Sequence, residues 1–191
     1  GLRKDILEGK DIFATSTAVN VFKYLNQKGV RTHFVGQYDF QTFIARKCKM
    51  IPVEIVARRI AFGSYLKRNP KTREGTVFKD PVVELFLKDD SRHDPFMMWN
   101  DGVNNGEGGF NLYDPKMPFM QGSLGETTDV LSPNTAMLLE DIVLDVFYLL
   151  EEAWQKQEIT LVDLKIECGL TTDDKQIVVA DVIDNDSWRI W

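Results

Sequence analysis

The stretch "ITLVDLKIECGLTTDDKQIVVADVIDND", residues 159–186, has the pattern of a β-hairpin and decides the fold. In its first arm, "LVDLKIEC", apolar and charged residues alternate strictly, so successive side chains point to opposite faces of a strand. The charged face carries Asp163, Lys165 and Glu167. A polar turn at residues 171–175 leads into a second apolar arm, "IVVADVI".

The charged face of the hairpin allows two interpretations. Taken alone, the first arm is typical of the solvated face of an antiparallel sheet. If the hairpin folds about Asp174, however, Glu167 lies opposite Asp181 on one face. A lone carboxylate within an apolar strand is costly to bury unless a cation or a hydrogen-bond donor compensates it. The pattern therefore predicts a Mg²⁺ ion between Glu167 and Asp181, with phosphate oxygens completing its shell and Lys165 beside it.

A second group of charges lies in "ARRIAFGSYLKR", residues 57–68, the most basic part of an acidic chain. Arg58 and Arg59 would come from a strand, Gly63 would allow close approach of the backbone, and Ser64 would offer a hydroxyl. Together these groups predict a phosphate-binding cradle. The alternative is an ordinary strand-to-helix turn with solvated lysines. Neither a Walker A motif nor GxGxxG is present in the sequence.

The composition limits the possible classes of protein. The chain has 191 residues, of which 43% are hydrophobic and 27% charged, as expected for one soluble globular domain. A net charge of −6 argues against nucleic-acid binding. The sequence has no long apolar run and no signal peptide at its start, which favours a cytoplasmic protein without membrane contact. Cys48 and Cys168 lack metal-ligand spacing, and we expect both thiols to be buried.

The remaining patterns predict a mixed α+β fold. A helix is expected from Leu7 to Lys28, with a core face that includes Ile12, Phe13, Val19, Phe22 and Leu25. Strands are expected in "THFV", "QTFIAR", "MIPVEIVARRI" and "PVVELFLKDD". A second helix should begin at Ser132 and Pro133. Its core stripe is predicted to be Leu138, Ile142, Val146, Leu149 and Ala153.

Residues 97–128 are rich in Gly, Asn and Pro and show no periodicity. A loop of this length is uncommon in a compact domain and is usually functional or mobile. We therefore predict a long irregular insertion or lid. His33 is expected to be structural, and His93 alone also favours a structural role.

Four segments, in this order, closely resemble the SAICAR synthetase family of purine biosynthesis. They are "MIPVEIVARRIAFGSYLKRNP", "EGTVFKDPVVELFLKDDSRHDP", "LVDLKIECG" and "IVVADVIDNDSWRIW". The resemblance covers nearly the whole chain and favours the animal form, in which this domain is fused to an aminoimidazole ribonucleotide (AIR) carboxylase. It implies one domain over residues 1–191, with a two-lobed α+β fold of antiparallel sheets flanked by helices, similar to protein kinases and ATP-grasp enzymes.

Relatives usually begin with a glycine-rich hairpin that covers ATP and continue with helices after "RIW". Neither feature is found in the sequence, so we expect it to represent the middle part of a catalytic domain.

The resemblance implies an ATP-dependent ligase. Such an enzyme joins L-aspartate to carboxyaminoimidazole ribonucleotide (CAIR), through an acyl phosphate, and gives SAICAR, ADP and phosphate. Mg²⁺ is the expected cofactor, ATP the co-substrate and a homo-oligomer the expected assembly. The alternative is a catalytically inactive nucleotide-binding or assembly module derived from the same family. A kinase-like phosphotransferase is disfavoured because HRD and DFG motifs are missing from the sequence.

The resemblance also assigns the site residues. Catalytic roles fall to Lys165, Asp163 and Asp186, with Asp163 either orienting Lys165 or assisting attack by the amine. The CAIR site comprises Arg58, Ser64, Arg189, Lys88 and Asp94. The ATP site comprises Met50 and Glu54, where adenine packs, together with the metal ligands Glu167 and Asp181. Trp188 is expected to pack behind the final loop, and Cys168 replaces a phenylalanine that is more usual in the family.

Overall fold

The computed structural model describes residues 8–103 and 108–191, which form an α+β fold of three helices and ten strands. The helices are α1 (Lys10–Gln27), α2 (Ser64–Arg68) and α3 (Pro133–Gln155). The strands are β1 (Phe34–Gln37), β2 (Phe43–Ala45), β3 (Cys48–Ile60), β4 (Val77–Leu87), β5 (Phe96–Asn100), β6 (Gly109–Tyr113), β7 (Ser123–Thr128), β8 (Leu161–Thr171), β9 (Ile177–Ala180) and β10 (Trp188–Ile190). The α+β class is confirmed, and each strand predicted from an apolar run overlaps an observed strand, although the second arm of the hairpin ends at Ala180.

The strands form a two-stranded sheet, β1 with β2, and an eight-stranded antiparallel sheet. The order of the large sheet is β10, β8, β3, β4, β5, β6, β7, and β9 also pairs with β8. Strands β9 and β10 share one edge of β8, because β9 pairs with residues 167–170 and β10 with residues 161–164. The chain between them, residues 181–187, therefore has to pass along the middle of β8.

Helix α1 follows the prediction at its C-terminus and departs from it near the start. Gly29 follows the helix with a φ of 89°, a conformation that glycine adopts without strain. Leu7, where the helix was predicted to begin, lies outside the described residues. Ile12 and Phe13 were predicted to face the core, but they are exposed. The buried face is set by Val19, Phe22 and Leu25, which pack against one continuous core.

Helix α3 begins as predicted, since the Ser132 hydroxyl accepts a hydrogen bond from the Thr135 amide at 3.1 Å. The predicted stripe is displaced, because Leu138 is exposed. The buried face instead comprises Ala136, Leu139, Val143, Val146, Phe147 and Leu150. Apolar residues cover more than one side of this helix, so their spacing allows two stripes. Packing against β8, β3 and β4 selects one of them.

The expectation of an irregular insertion at residues 97–128 is wrong for much of that segment. Strands β5, β6 and β7 continue the large sheet there. Cross-strand pairs hold them, such as Met97 opposite Leu112 and Trp99 opposite Phe110, whose rings lie 5.1 Å apart. Short strands joined by Gly-rich turns have little periodicity of their own, because pairing with neighbours stabilises them. A role as a lid stays a prediction.

Three smaller predictions have clear outcomes. His33 is buried against the edges of Phe22 and Phe43, as expected of a structural residue. Cys168 is buried, and burial raises the pKa of its thiol to about 12. Cys48 is only partly buried, which corrects the expectation for that residue. In the described parts of the chain, no helix combines the length and apolar character needed to cross a membrane.

Candidate functional site

Two adjoining clefts collect most of the predicted site residues. The larger cleft has a volume of about 360 Å³. Its predicted residues are Glu54, Arg58, Ser64, Asp94, Asp163, Lys165, Asp186 and Arg189. The smaller cleft, of about 180 Å³, is lined by Lys165, Glu167, Asp181 and Asp186, among others. Lys165 and Asp186 therefore face both clefts.

A row of alternating charges crosses four neighbouring strands on the floor of the larger cleft. Arg58 on β3 lies opposite Asp163 on β8, and Asp163 lies opposite Arg189 on β10. Arg58 donates to Glu84 Oε2 at 2.5 Å through Nε and to Asp163 Oδ2 at 2.7 Å through Nη1. Arg189 donates to Asp163 Oδ1 at 2.9 Å. Asp163 thus lies between Arg58 and Arg189, and Glu84 on β4 lies between Arg58 and Arg68. Buried charges need such compensation.

This row bears on one of the two roles expected for Asp163, the orientation of Lys165. The other role, assisting attack by the amine, stays a prediction. The two oxygens of Asp163 are occupied by Arg58 and Arg189, and the residue is 5% exposed. Lys165 instead donates to Glu54 Oε1 at 2.8 Å. Asp163 therefore orients the two arginines and does not orient Lys165. Such fixed arginines present their remaining N–H groups in a geometry suited to phosphate.

The residues of the predicted cradle lie where β3 turns into α2. Arg58 Nη2 donates to the Ser64 hydroxyl at 3.3 Å. Gly63 has a φ of 60°, and a Cβ atom added there would lie 2.1 Å from Arg189 Nη1. Glycine avoids strain at this φ, and the lack of a Cβ atom lets the Arg189 guanidinium lie against the backbone. The sequence pattern did not indicate that Arg189 is the group that approaches.

Arg59, predicted to contribute to the cradle, points to the opposite side of the sheet. It makes a bidentate ion pair with Glu151 of α3, in which Nε donates to Oε1 at 2.6 Å and Nη2 donates to Oε2 at 2.8 Å. Adjacent residues of a strand face opposite sides, so only one of the two arginines can face the cleft.

The carboxylates Glu167 and Asp181 come together by a different route from the one predicted. Glu167 is in register with Ala180, so Asp181 is displaced by one residue from the predicted pairing. The turn is set by bonds between Thr171 and Gln176, and it is not centred on Asp174. Asp181 follows the end of β9 with a φ of 60°, which turns the chain and returns its side chain towards Glu167.

Electrostatics show that the two carboxylates interact. Burial raises the pKa of Glu167, Lys88 opposes that rise, and Asp181 adds to it. Lys88 Nζ lies 2.5 Å from Glu167 Oε1. In residues 8–103 and 108–191, no group of three or more His, Cys, Asp or Glu side chains is arranged to hold a metal. Two carboxylates nonetheless fit Mg²⁺, which commonly takes one or two protein acids and completes its shell with phosphate oxygens and water.

The loop after β9 presents further acids beside Lys165. The Asp184 amide donates to the Ser187 hydroxyl at 3.1 Å, and the Ser187 carbonyl accepts from the Lys165 amide at 2.8 Å. Trp188 packs on Trp154 of α3 with ring centroids 5.5 Å apart, as predicted. Asp186 is exposed and pairs with Lys10 at 2.7 Å.

The remaining predicted residues have the following surroundings. Asp94 lines the larger cleft, but its Oδ1 atom accepts from the Asp89 amide at 2.8 Å and closes a local turn. Lys88, assigned to CAIR, contacts Glu167 at the carboxylate pair. Met50 lies on β3 opposite Gly169.

Sequence reasoning missed Glu84, and it included Arg68 only as one of the basic residues of segment 57–68. Both residues are buried beside Arg58. The signal for Glu84 was present, because it is a single acid in the apolar run "PVVELFL". The argument applied to Asp181 would have identified it. Arg68 ends a short helix and resembles a solvated residue in the sequence.

Comparisons with known proteins identify similar sequences and a similar fold. A sequence profile of the SAICAR synthetase family matches residues 1–191. The chain is 44% identical over 191 residues to the "Bifunctional purine synthesis protein purC/E" of Dictyostelium discoideum, covering 100% of this chain and 17% of that protein. It is 42% identical over 190 residues to the human "Bifunctional phosphoribosylaminoimidazole carboxylase/phosphoribosylaminoimidazole succinocarboxamide synthetase", covering 99% of this chain and 40% of that protein.

A solved "SAICAR synthetase (Type-2) in complex with ADP" superposes with a TM-score of 0.79 at 30% identity, covering 100% of this chain and 71% of that one. These matches confirm a SAICAR synthetase fold. They do not test the predicted likeness to protein kinases and ATP-grasp enzymes. Two relatives, from Roseiflexus sp. at 42% identity and Roseiflexus castenholzii at 44%, carry only the name "Phosphoribosylaminoimidazole-succinocarboxamide synthase", and the chain covers 67% of each. The chain spans less than half the length of the bifunctional relatives reported above.

Proposed function

The chain belongs to the SAICAR synthetase family, and from this premise we propose that it carries an ATP-dependent ligase activity. The reaction joins the amine of L-aspartate to the carboxylate of CAIR and gives SAICAR, ADP and phosphate. One observation carries the proposal: Lys165 faces both the arginine-rich cleft and the carboxylate pair. A ligase of this kind has to bring a ribonucleotide and a nucleoside triphosphate to one point.

The larger cleft suits CAIR. Arg58, Arg189 and Ser64 would bind its phosphate, and the two arginines are already held in position by Asp163. Orientation fixed before binding reduces the entropy lost when substrate binds. Asp94 and Asp186 line the same cleft and would lie near the rest of the ribonucleotide.

The smaller cleft suits the phosphates of ATP with Mg²⁺. Glu167 and Asp181 would hold the ion, which when bound neutralises phosphate charge during transfer. Met50 and Glu54 lie on β3 beside this region, where adenine would pack. Glu54 also holds Lys165 at 2.8 Å, so it would fix the ammonium group between the two substrates.

From that position Lys165 would stabilise negative charge as phosphoryl transfer activates the CAIR carboxylate. The aspartate amine then attacks the acyl phosphate and phosphate leaves. Fixed cations stabilise developing charge effectively because they need not reorganise during the reaction.

A catalytically inactive assembly module is the alternative, and the clustering of charges opposes it. Buried or half-buried ions are costly, and a surface used only for assembly has no physical need for them at two adjoining clefts. The human relative's name supports a fused carboxylase as a further proposal. A homo-oligomer and a cytoplasmic location stay predictions.

The test is ADP release by the protein with ATP, Mg²⁺, CAIR and L-aspartate, leaving out each in turn. A version extended upstream is assayed in parallel. The ligase requires ADP release to depend on all four components in at least one of the two forms. Release that does not depend on CAIR and aspartate contradicts the ligase. No release from either form, with normal folding and CAIR binding, favours the assembly module.

A further inference from the structure

Glu84 connects the predicted phosphate site to Arg68, a buried cation outside the cleft. The Oε2 atom of Glu84 accepts from Arg58 Nε at 2.5 Å, and its Oε1 atom accepts from Arg68 Nη2 at 2.5 Å. Arg58, Arg68 and Glu84 are exposed by only 3%, 3% and 5%. The alternating row therefore extends beyond Arg58, so Arg58 is held on two sides by buried acids.

Arg68 is itself held firmly. Its guanidinium lies over the rings of Phe86 and Phe96, at 4.9 and 5.4 Å from their centroids. Its Nη1 atom donates to the Pro115 carbonyl at 3.0 Å. Burial lowers the pKa of this arginine despite its acidic partner, and its Nε atom has no hydrogen-bond partner in the described structure. Burial of a charged group with an unpaired N–H is costly, so the presence of an arginine here indicates a role that a neutral side chain would not fill.

Arg68 also connects the cleft to the turn between β6 and β7. Its carbonyl accepts from the Phe119 amide at 3.0 Å, and Pro115 lines the larger cleft. One residue thereby ties the cleft wall near Pro115 to Glu84 and, through Glu84, to Arg58. The distance between that wall and the Arg58 guanidinium is set by this chain of contacts.

The orientation of Arg58 depends on which of its nitrogens are engaged. Glu84 takes Nε, while Nη1 and Nη2 contact Asp163 and Ser64, which both line the cleft. Without Glu84, Asp163 would hold Arg58 from one side only, and the guanidinium plane could rotate. Bidentate binding of phosphate needs that plane to be fixed.

We propose that Glu84 and Arg68 are positioning residues of the phosphate site, holding the guanidinium of Arg58 so that its Nη edge faces the substrate phosphate. This inference rests on the proposed function, in which Arg58 binds the phosphate of CAIR. Neither residue touches substrate. Their effect is on affinity for the phosphate group, and they leave the ATP side of the site unaltered.

The experiment is calorimetric titration of wild type, Glu84→Gln, Arg68→Met and Arg68→Lys with three ligands. These are CAIR, the matching riboside without phosphate, and ADP with Mg²⁺. Glu84→Gln and Arg68→Met should weaken CAIR about tenfold, corresponding to one lost charged hydrogen bond, with riboside and ADP unchanged. Arg68→Lys keeps the charge and should recover part of the loss. Thermal melting identifies any variant that fails to fold.

Arg58→Met is the reference that separates this inference from the proposed function. If Arg58→Met weakens CAIR but not the riboside, while Glu84→Gln and the folded Arg68 variants bind both normally, the positioning role is wrong and the phosphate site stands. Equal loss of CAIR and riboside in the Glu84 and Arg68 variants would show a purely structural role and also overturn the inference. If Arg58→Met changes the affinities for CAIR and for the riboside equally, Arg58 is not a phosphate ligand. The assignment of Arg58 to the CAIR phosphate and the positioning role of Glu84 and Arg68 are then both wrong.

Discussion

The ammonium group of Lys88 lies 2.5 Å from Oε1 of Glu167, on the opposite side of the site from the arginines. Lys88 directly follows β4, and Glu167 is on β8. The contact raises the pKa of Lys88 and opposes the effect of burial, which raises the pKa of Glu167. Lys88 thus favours the ionised form of a carboxylate that a metal ion would need.

Lys88→Met should shift the pH dependence of Mg²⁺-nucleotide binding. Binding needs ionised Glu167, so it is lost as the pH falls through the pKa of that group. Removal of Lys88 raises this pKa further, and the loss should therefore begin at a higher pH than in the wild type. Titrations with ADP and Mg²⁺ across pH 5 to 8 would measure this shift, with exposed Lys67→Met as the control. An unchanged pH profile would show that Lys88 does not act on Glu167.

Asp181→Asn should remove metal-dependent nucleotide binding without loss of stability. Asn adopts the left-handed conformation at a φ of 60° at least as readily as Asp, so the backbone should persist. The amide lacks the charge that balances a divalent cation. We expect ADP binding to lose its dependence on Mg²⁺, with a melting temperature close to wild type. Exposed Asp80→Asn is the matched control, and Mg²⁺ dependence that survives Asp181→Asn would contradict the metal assignment.

Gly63→Ala should weaken CAIR binding and destabilise the fold. A Cβ atom would lie 2.1 Å from Arg189 Nη1, and the backbone φ of 60° would also be strained. Strain of this kind costs about 1–3 kcal/mol, and the displaced arginine would no longer meet phosphate. Gly36→Ala is the control, because nothing lies within 4 Å of a Cβ atom there. Chemical denaturation and CAIR titration would measure the two effects, and a neutral result at Gly63 would refute the close packing.

Arg58 and Arg59 should respond differently to the same substitution. Arg59→Met removes the ion pair with Glu151, which joins β3 to α3, and should cost about 1–3 kcal/mol of stability. CAIR binding should remain normal. Arg58→Met should weaken CAIR binding and spare ADP, while Arg68 and Arg189 continue to compensate the neighbouring acids. Equal effects of the two variants on CAIR would contradict the assignment of opposite faces.

Local patterns predicted those features that depend on neighbours along the chain. The strict alternation of "LVDLKIEC" placed Asp163, Lys165 and Glu167 on one face, because a strand repeats every two residues. The N-cap at Ser132 located the start of α3, because a cap depends only on residues within the first turn of the helix. The resemblance then identified the family and most of the residues that line the two clefts.

The sequence by itself thus determined the class of fold, the family and most of the residues that face the site. Only the tertiary structure decided which charge pairs with which, since partners such as Arg58, Glu84 and Asp163 come from strands far apart in the chain. A turn centred half a residue before the predicted centre moved Asp181 one residue out of register, and the left-handed backbone conformation of Asp181 turned its side chain back towards Glu167. Register and ion pairing depend on packing of the whole sheet, and that information is absent from any local pattern.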